Sequence, residues 1–133
     1  MLFRFAAHLT RVLRRPPTYW DNYPVNDVAM GYELHVGPYR GRDPLLWRAS
    51  AGVIANGMEL FESSRIPFRT IADYLADPEG YDPEASWARA IRAVAGDADA
   101  DAFATFADNV RSSCLCDADA PDRKSTRLNS SHT

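Results

Sequence analysis

Thr18-Tyr19-Trp20-Asp21-Asn22-Tyr23-Pro24-Val25-Asn26-Asp27 is the stretch on which the reading of the whole chain turns. Three aromatics and five Thr, Asn and Asp side chains able to hydrogen-bond crowd into ten positions. Thr18-Tyr19-Trp20 reads as a short strand, because β-branched and aromatic residues fit a pleated, half-buried surface. Asp21, Asn22 and Pro24 are expected to stop it, since Pro lacks a donor and Asx side chains favour turns. A strand that ends in Trp and runs into Asn and Asp has the make-up of a sugar site. The ring offers a flat apolar wall, and the Asx groups offer fixed donors and acceptors for hydroxyls. On composition alone, a packed Trp followed by an ordinary Asn-Pro-Asp turn is the commoner arrangement.

Working outward, Leu2, Phe5, Leu9 and Val12/Leu13 recur at helical spacing upstream, with Arg4, Arg11, Arg14 and Arg15 around them. That helix is expected to end at Arg15, before Pro16-Pro17. A secretory leader does not fit, because Arg4, His8 and Arg11 interrupt any apolar core and no small-residue cleavage site follows. Downstream, Val28 to Gly31 reads as a short helical turn. His35 to Pro44 reads as a loop turned by Gly37-Pro38 and Gly41. Leu45-Leu46-Trp47 opens a second helical stretch. Gly52-Val53-Ile54-Ala55 reads as a buried strand ending at Asn56-Gly57.

Met58 to Ala76 reads as helix, irregular at Pro67, with Ile66/Phe68, Ile71/Ala72 and Leu75 as its apolar stripe. Asp77-Pro78-Glu79-Gly80 breaks the chain. Asp82 is a good N-cap, with Pro83 at the first helical position and Glu84 near the positive helix end. Trp87, Ile91 and Val94 then line one face, and Gly96 supplies the stop. A last helix starts near Ala98, with Phe103, Phe106/Ala107 and Val110 on its apolar face, continuing to Cys114. The order is helix, strand, loop, helix, strand, helix, then two antiparallel helices. We read this as α/β: over residues 1–78 the last two βα units of a (β/α)8 barrel, and over 79–121 the start of a helical region. Two strands cannot close a barrel, so much apolar surface would lack its cover.

The chain has 133 residues, one domain's worth. Its 46% hydrophobic content can build a core, and its net charge of −3 argues against nucleic acid as a partner. No apolar run approaches the roughly 20 residues of a membrane span. Residues 122–133 stand apart. They hold the only lysine, Lys124, no Ala and one aliphatic residue, and they look like translated sequencing-adapter read-through. They carry three of the 15 basic and one of the 18 acidic residues, which leaves 12 against 17 and a net of −5. On that reading the natural protein continues past Pro121 and the chain is a fragment.

The opening stretch resembles the W-x-N-(Y/F)-P-V-x-D segment of the family 84 glycoside hydrolases, the β-N-acetylglucosaminidases also called O-GlcNAcases and sometimes hyaluronidases. The resemblance continues through His35-Val36-Gly37-Pro38 and Gly52-Val53-Ile54-Ala55-Asn56-Gly57-Met58-Glu59. It extends to Ile71-Ala72-Asp73-Tyr74 and Tyr81-Asp82-Pro83-Glu84-Ala85-Ser86-Trp87-Ala88-Arg89-Ala90-Ile91, and covers nearly all of residues 9–113. It implies the same barrel fragment and a substrate bearing N-acetylglucosamine, on a glycan or glycoprotein. By resemblance Trp20 lines the pocket for the acetamide methyl, Asn22 and Asn56 contact the sugar, and Asp27 accepts from hydroxyls on the far side of the ring. Asp21 stands where the family commonly has a second Trp. No cofactor or metal is implied.

The family works by substrate-assisted retention, an exception to the usual two-carboxylate scheme. One Asp of an adjacent pair polarises the acetamide, which attacks the anomeric carbon; its neighbour is general acid, then base. No adjacent Asp-Asp pair exists in this chain. In the family it lies on an earlier strand, upstream of residue 1. The chain is thus expected to hold part of a sugar-binding wall, no catalytic residue, and no activity by itself. The alternative is a non-catalytic carbohydrate-binding or scaffold relative; a third reading is a free-standing helical interaction module.

Other motifs read plainly. Asp97-Ala98-Asp99-Ala100-Asp101 with Asp108 hints at a calcium loop, but Ala102 replaces the turn Gly and Asp108 replaces the bidentate Glu. An acidic helix start accounts for it better. Cys114-Leu115-Cys116 lacks a second ligand pair. His8 and His35 have no triad partner in view, and Gly37-Pro-Tyr-Arg-Gly lacks the lysine of a phosphate loop.

Overall fold

The short runs of β-branched and aromatic residues do form strands, and they pair with each other. The computed structural model describes residues 2–111. Helix α1 (Leu2–Leu13) leads into β1 (Thr18–Asp21), and β2 (Gly52–Ala55) leads into α2 (Phe61–Ala76). Helices α3 (Pro83–Ala95) and α4 (Ala100–Asn109) follow. The strands are parallel, with Thr18 opposite Gly52, Tyr19 opposite Val53, Trp20 opposite Ile54 and Asp21 opposite Ala55. A parallel pair needs a long crossover. Here residues 22–51 supply it, with 3₁₀ turns at Val28–Met30 and Leu46–Ala49.

The period-2 alternation of a strand sends the two faces of this small sheet to different surroundings. Tyr19 packs against Ala6, Leu46 and Ala49. Ala55 packs against the cluster of Tyr39, Ile71 and Tyr74. The other face, carrying the register pair Trp20 and Ile54, is open: they are 67% and 52% exposed. A third and larger cluster joins Val36, Met58 and Ile66 to Trp87, Ala90, Ile91, Ala100 and Ala107, and so packs α3 and α4 onto the crossover and α2.

Several boundaries differ from expectation for physical reasons. Helix α1 stops at Leu13, two residues early, because Arg14 takes a left-handed φ of 55° and Arg15 precedes a proline. Much of its apolar stripe is left uncovered, as expected of two strands without the rest of a barrel. Phe5, Val12 and Leu13 are exposed, while Ala6 is buried and Thr10 Oγ1 donates to the Ala49 carbonyl at 3.1 Å. Leu45–Trp47 yields only the four-residue 3₁₀ turn, since Ser50 is already extended toward β2. Helix α2 starts at Phe61 rather than Met58, because Leu60 is still extended, at φ −86° and ψ 110°; the Met58 amide donates to Ser64 Oγ at 2.9 Å. It runs through Pro67 without a break. It buries Ile66, Pro67, Thr70, Ile71 and Tyr74, and leaves Ala72 and Leu75 outside.

The signals around α3 hold as read. Asp82 Oδ1 accepts from the amides of Glu84 and Ala85, Pro83 opens the helix, and Gly96 closes it at φ 80°. Trp87 and Ile91 are buried and Val94 packs beside them. Helix α4 begins at Ala100, and the Phe106 side chain on it is half exposed. Cys114 and Cys116 and the segment 122–133 lie outside the described residues. No helix among the described residues is long and apolar enough to cross a membrane.

Candidate functional site

Parallel strands deliver the residues that follow them to the same end of the sheet, and here two asparagines arrive together. The ladder runs one step past the strands, where the Asn56 amide donates to the Asp21 carbonyl at 2.9 Å. Asn22 and Asn56 therefore leave adjacent strands side by side. Trp20 Nε1 donates to Asn22 Oδ1 at 2.8 Å, and Asn56 Nδ2 approaches the same oxygen at 3.4 Å. An indole N–H only donates, so Asn22 must present its oxygen to it. The Asn22 Nδ2 edge is thereby left as an oriented donor on an exposed residue. Trp20, Asn22 and Asn56, three of the four residues singled out above, thus form one bonded group beside an exposed indole face.

Asp27 is not part of that group. It is exposed, opens the Val28–Met30 turn without a side-chain cap, and bonds to none of the three. The residue that fastens its loop is Asn26, whose Nδ2 donates to the Glu33 carbonyl at 2.8 Å. Val28, next to Asp27, has φ 51°, a left-handed value that is costly for a β-branched residue.

Asp21 is the main departure from expectation. It does not stop β1 but ends it as a paired residue, with its side chain on the covered face. Arg42 grips it with both arms, Nη2 to Oδ1 at 2.6 Å and Nε to Oδ2 at 2.7 Å. Tyr39 Oη donates to Oδ2 at 2.6 Å. The Asp21 side chain is 12% exposed and that of Arg42 26%. Burial, reinforced by the bond to Asp21, pushes the Tyr39 hydroxyl well above the ordinary tyrosine range. Burial opposes the charge on Arg42, yet its bonds and proximity to Asp21 win and strengthen its hold on its proton. Tyr39 in turn stacks edge-on with Tyr74, and Tyr74 with Tyr81, at 5.2 and 5.6 Å. This brace sits between Trp20 and Asn22 in sequence and anchors the strand end that carries them. Nothing local in the sequence announces it, because its partners are some twenty residues downstream.

Gly57 holds Asn56 close to α2. A Cβ there would lie 2.9 Å from Phe68 Cζ and 3.3 Å from Ser64 Oγ. His35 is buried, with Nε2 3.6 Å from the Glu33 carboxylate. His8 Nδ1 lies 3.2 Å from Arg11 in the open. Asp97 and Asp101 face Arg92, and Ala100 already begins a helix. Among the described residues no group of three or more His, Cys, Asp or Glu could hold a metal.

The two strands thus bring an exposed indole and two carboxamides together at one end of the sheet. Residues 3–108 match the NAGidase family, beta-N-acetylglucosaminidase, and the chain belongs to it. Over 66 residues it is 32% identical to the Protein O-GlcNAcase of Rattus norvegicus and likewise to that of Mus musculus. That stretch covers 50% of this chain but only 7% of those proteins. Among solved structures it resembles a mutant O-GlcNAc hydrolase of Thermobaculum terrenum with a TM-score of 0.82 and 36% identity, covering 98% of this chain and 29% of that one. It also resembles CpGH84B, with a TM-score of 0.76 and 32% identity over 82% of this chain and 19% of that one.

Proposed function

We propose that the chain is part of the catalytic domain of a retaining β-N-acetylglucosaminidase, contributing sugar-binding residues while the acid pair comes from elsewhere in the domain. The observation that carries this reading is the convergence of Trp20, Asn22 and Asn56 at the C-terminal ends of two neighbouring parallel strands. Barrel enzymes build their active sites at that end. Residues 1–78 are then the last two βα units of a (β/α)8 barrel, and 79–121 open a helical region. The open sheet face with Trp20 and Ile54, and the exposed stripe of α1, fit surfaces that the rest of a barrel would cover.

In this reading the Trp20 ring walls the acetamide methyl, the Asn22 and Asn56 carboxamides bond the sugar, and Asp27 reaches its far hydroxyls. The acetamide oxygen of the substrate attacks its own anomeric carbon, while an Asp outside this chain protonates the leaving oxygen. No group here is assigned that proton. The complete enzyme should hydrolyse an aryl N-acetyl-β-glucosaminide, and the 133-residue chain alone should not. A complete protein that binds N-acetylglucosamine without cleaving the glycoside would instead identify a binding relative.

A further inference from the structure

The segment His35-Val36-Gly37 is bonded on both sides, and the two sides belong to different parts of the molecule. Toward the candidate site, Tyr23 Oη donates to the Gly37 carbonyl at 2.6 Å, one residue after Asn22. The His35 amide donates to Met58 Sδ at 3.4 Å, two residues after Asn56. Toward the helical region, Trp87 Nε1 of α3 donates to the Val36 carbonyl at 2.7 Å, in a buried bond. The Val36 and Gly37 amides donate to the carbonyls of Val110 and Arg111, at 3.4 and 3.1 Å, just past α4. Arg111 closes the set, with its guanidinium 4.3 Å from the centre of the Trp87 ring. At Gly37 a side chain would collide with the Arg111 carbonyl oxygen, so this approach demands glycine.

We infer that α3 and α4 position the sugar site through the 35–37 segment, with Trp87 as a positioning residue for Asn22 and Asn56. The inference rests on the reading of those asparagines as sugar contacts. Both asparagines belong to loops whose next anchored residue, Tyr23 or Met58, is tied to the same three residues. The segment itself makes its remaining bonds to the helical unit. Buried polar groups that lose a partner are costly to leave unpaired. Removing the Trp87 donor therefore shifts the Val36 carbonyl, and Tyr23 and Met58 move with it. A site whose walls move loses affinity for ground state and transition state alike, which raises KM and spares kcat.

The test uses the complete enzyme and an aryl N-acetyl-β-glucosaminide. Trp87→Phe keeps the ring over Arg111 and removes the N–H. Tyr23→Phe cuts the segment on its other side, and Ile91→Val loosens the same core without touching a bond to the segment. The expected result is a KM raised about two- to tenfold by each Phe variant with kcat held, as one neutral hydrogen bond implies. Ile91→Val should lower the melting temperature and leave KM alone. An unchanged KM in Trp87→Phe, or an equal rise in Ile91→Val, overturns the inference. Should Trp87→Phe fail to fold, an unchanged KM in Tyr23→Phe does the same. Amide hydrogen exchange over residues 20–26 and 54–58 separates this inference from the functional reading. It should quicken in Trp87→Phe and not in Ile91→Val, whatever the substrate proves to be. Equal exchange overturns the positioning role, whereas wild-type enzyme that cannot cleave the glycoside overturns only the reading of its activity.

Discussion

Replacing Asp21 by Asn keeps the shape of the side chain and removes its charge, which isolates what the brace contributes. The carboxylate accepts three short bonds, two from Arg42 and one from Tyr39. An amide can present only one oxygen. Whichever way it is turned, its NH2 edge meets an Arg42 N–H, so one charged donor is left facing another donor. The Tyr39 hydroxyl can rotate and recover part of the loss; Arg42 cannot. Breaking a fully buried pair costs about 3–5 kcal/mol. Arg42 is about a quarter exposed, so we expect a lower figure, about 2–4 kcal/mol. By the scaling of 150–250-residue domains, that lowers the melting temperature of the complete enzyme by about 4–15 °C. Differential scanning calorimetry measures it directly. Asp21→Leu combined with Arg42→Met replaces both charges by apolar side chains of similar volume and should recover much of the loss, since such an exchange of an ion pair is close to neutral. A single variant that melts within about 1 °C of wild type would refute the reasoning, and the pair would then be an ordinary surface contact.

Three further outcomes follow from the same geometry. In the complete enzyme Asp27→Ala removes a charged acceptor and should cost about 1.5–3 kcal/mol in kcat/KM, against about 0.5–1.5 kcal/mol for Asn56→Ala; steady-state kinetics that reverse this order contradict the placement of the sugar against the Asp27 loop. Burial raises the hydroxyl pKa of Tyr39, Tyr74 and Tyr81 above the ordinary 10.0, so these three should ionise above that value in an ultraviolet titration. The sign is that stability from these groups is fully present below pH 10 and is lost as pH rises through their raised values, so alkaline unfolding should accompany their ionisation. The bond from Ser86 Oγ, and then that from Arg89, hold the Asp73 carboxyl below its ordinary 3.8; Ser86→Ala should raise it in a carboxyl NMR titration, with the linked stability present above that ordinary value and lost as pH falls through the depressed one.

How much of this was legible depended on how local the causes are. Gly52–Ala55 and the α3 start are written in adjacent residues, an apolar run before Asn-Gly and an Asp-Pro-Glu cap, and both stand where the sequence puts them. The meeting of Asn22 with Asn56 was legible only in outline, because it needs two strands to be neighbours. The Asp21 brace was not legible at all. An Asp after Tyr-Trp reads as a strand breaker until Arg42 and Tyr39 arrive from the crossover. The α1 stripe is legible in the sequence, but which face of the helix docks here is not. Its apolar periodicity is genuine, but the surface that α1 offers to its neighbours here is small, Ala6 and Thr10. The Ala72 and Leu75 side of α2 fails in the same way, since α2 docks through Thr70 and Tyr74 instead.

The central claim is that the bonded group of Trp20, Asn22 and Asn56 faces the sugar, and Asn22 is its hub. The most direct measurement is kcat/KM of Asn22→Ala for an aryl N-acetyl-β-glucosaminide, in complete enzyme shown by calorimetry to be folded. The variant loses the oriented Nδ2 donor and frees the Trp20 indole N–H, two neutral bonds of about 0.5–1.5 kcal/mol each. The account predicts a fall of about five- to 160-fold. A folded variant that keeps wild-type kcat/KM would contradict it and leave Asn22 as no more than a strand-end turn residue.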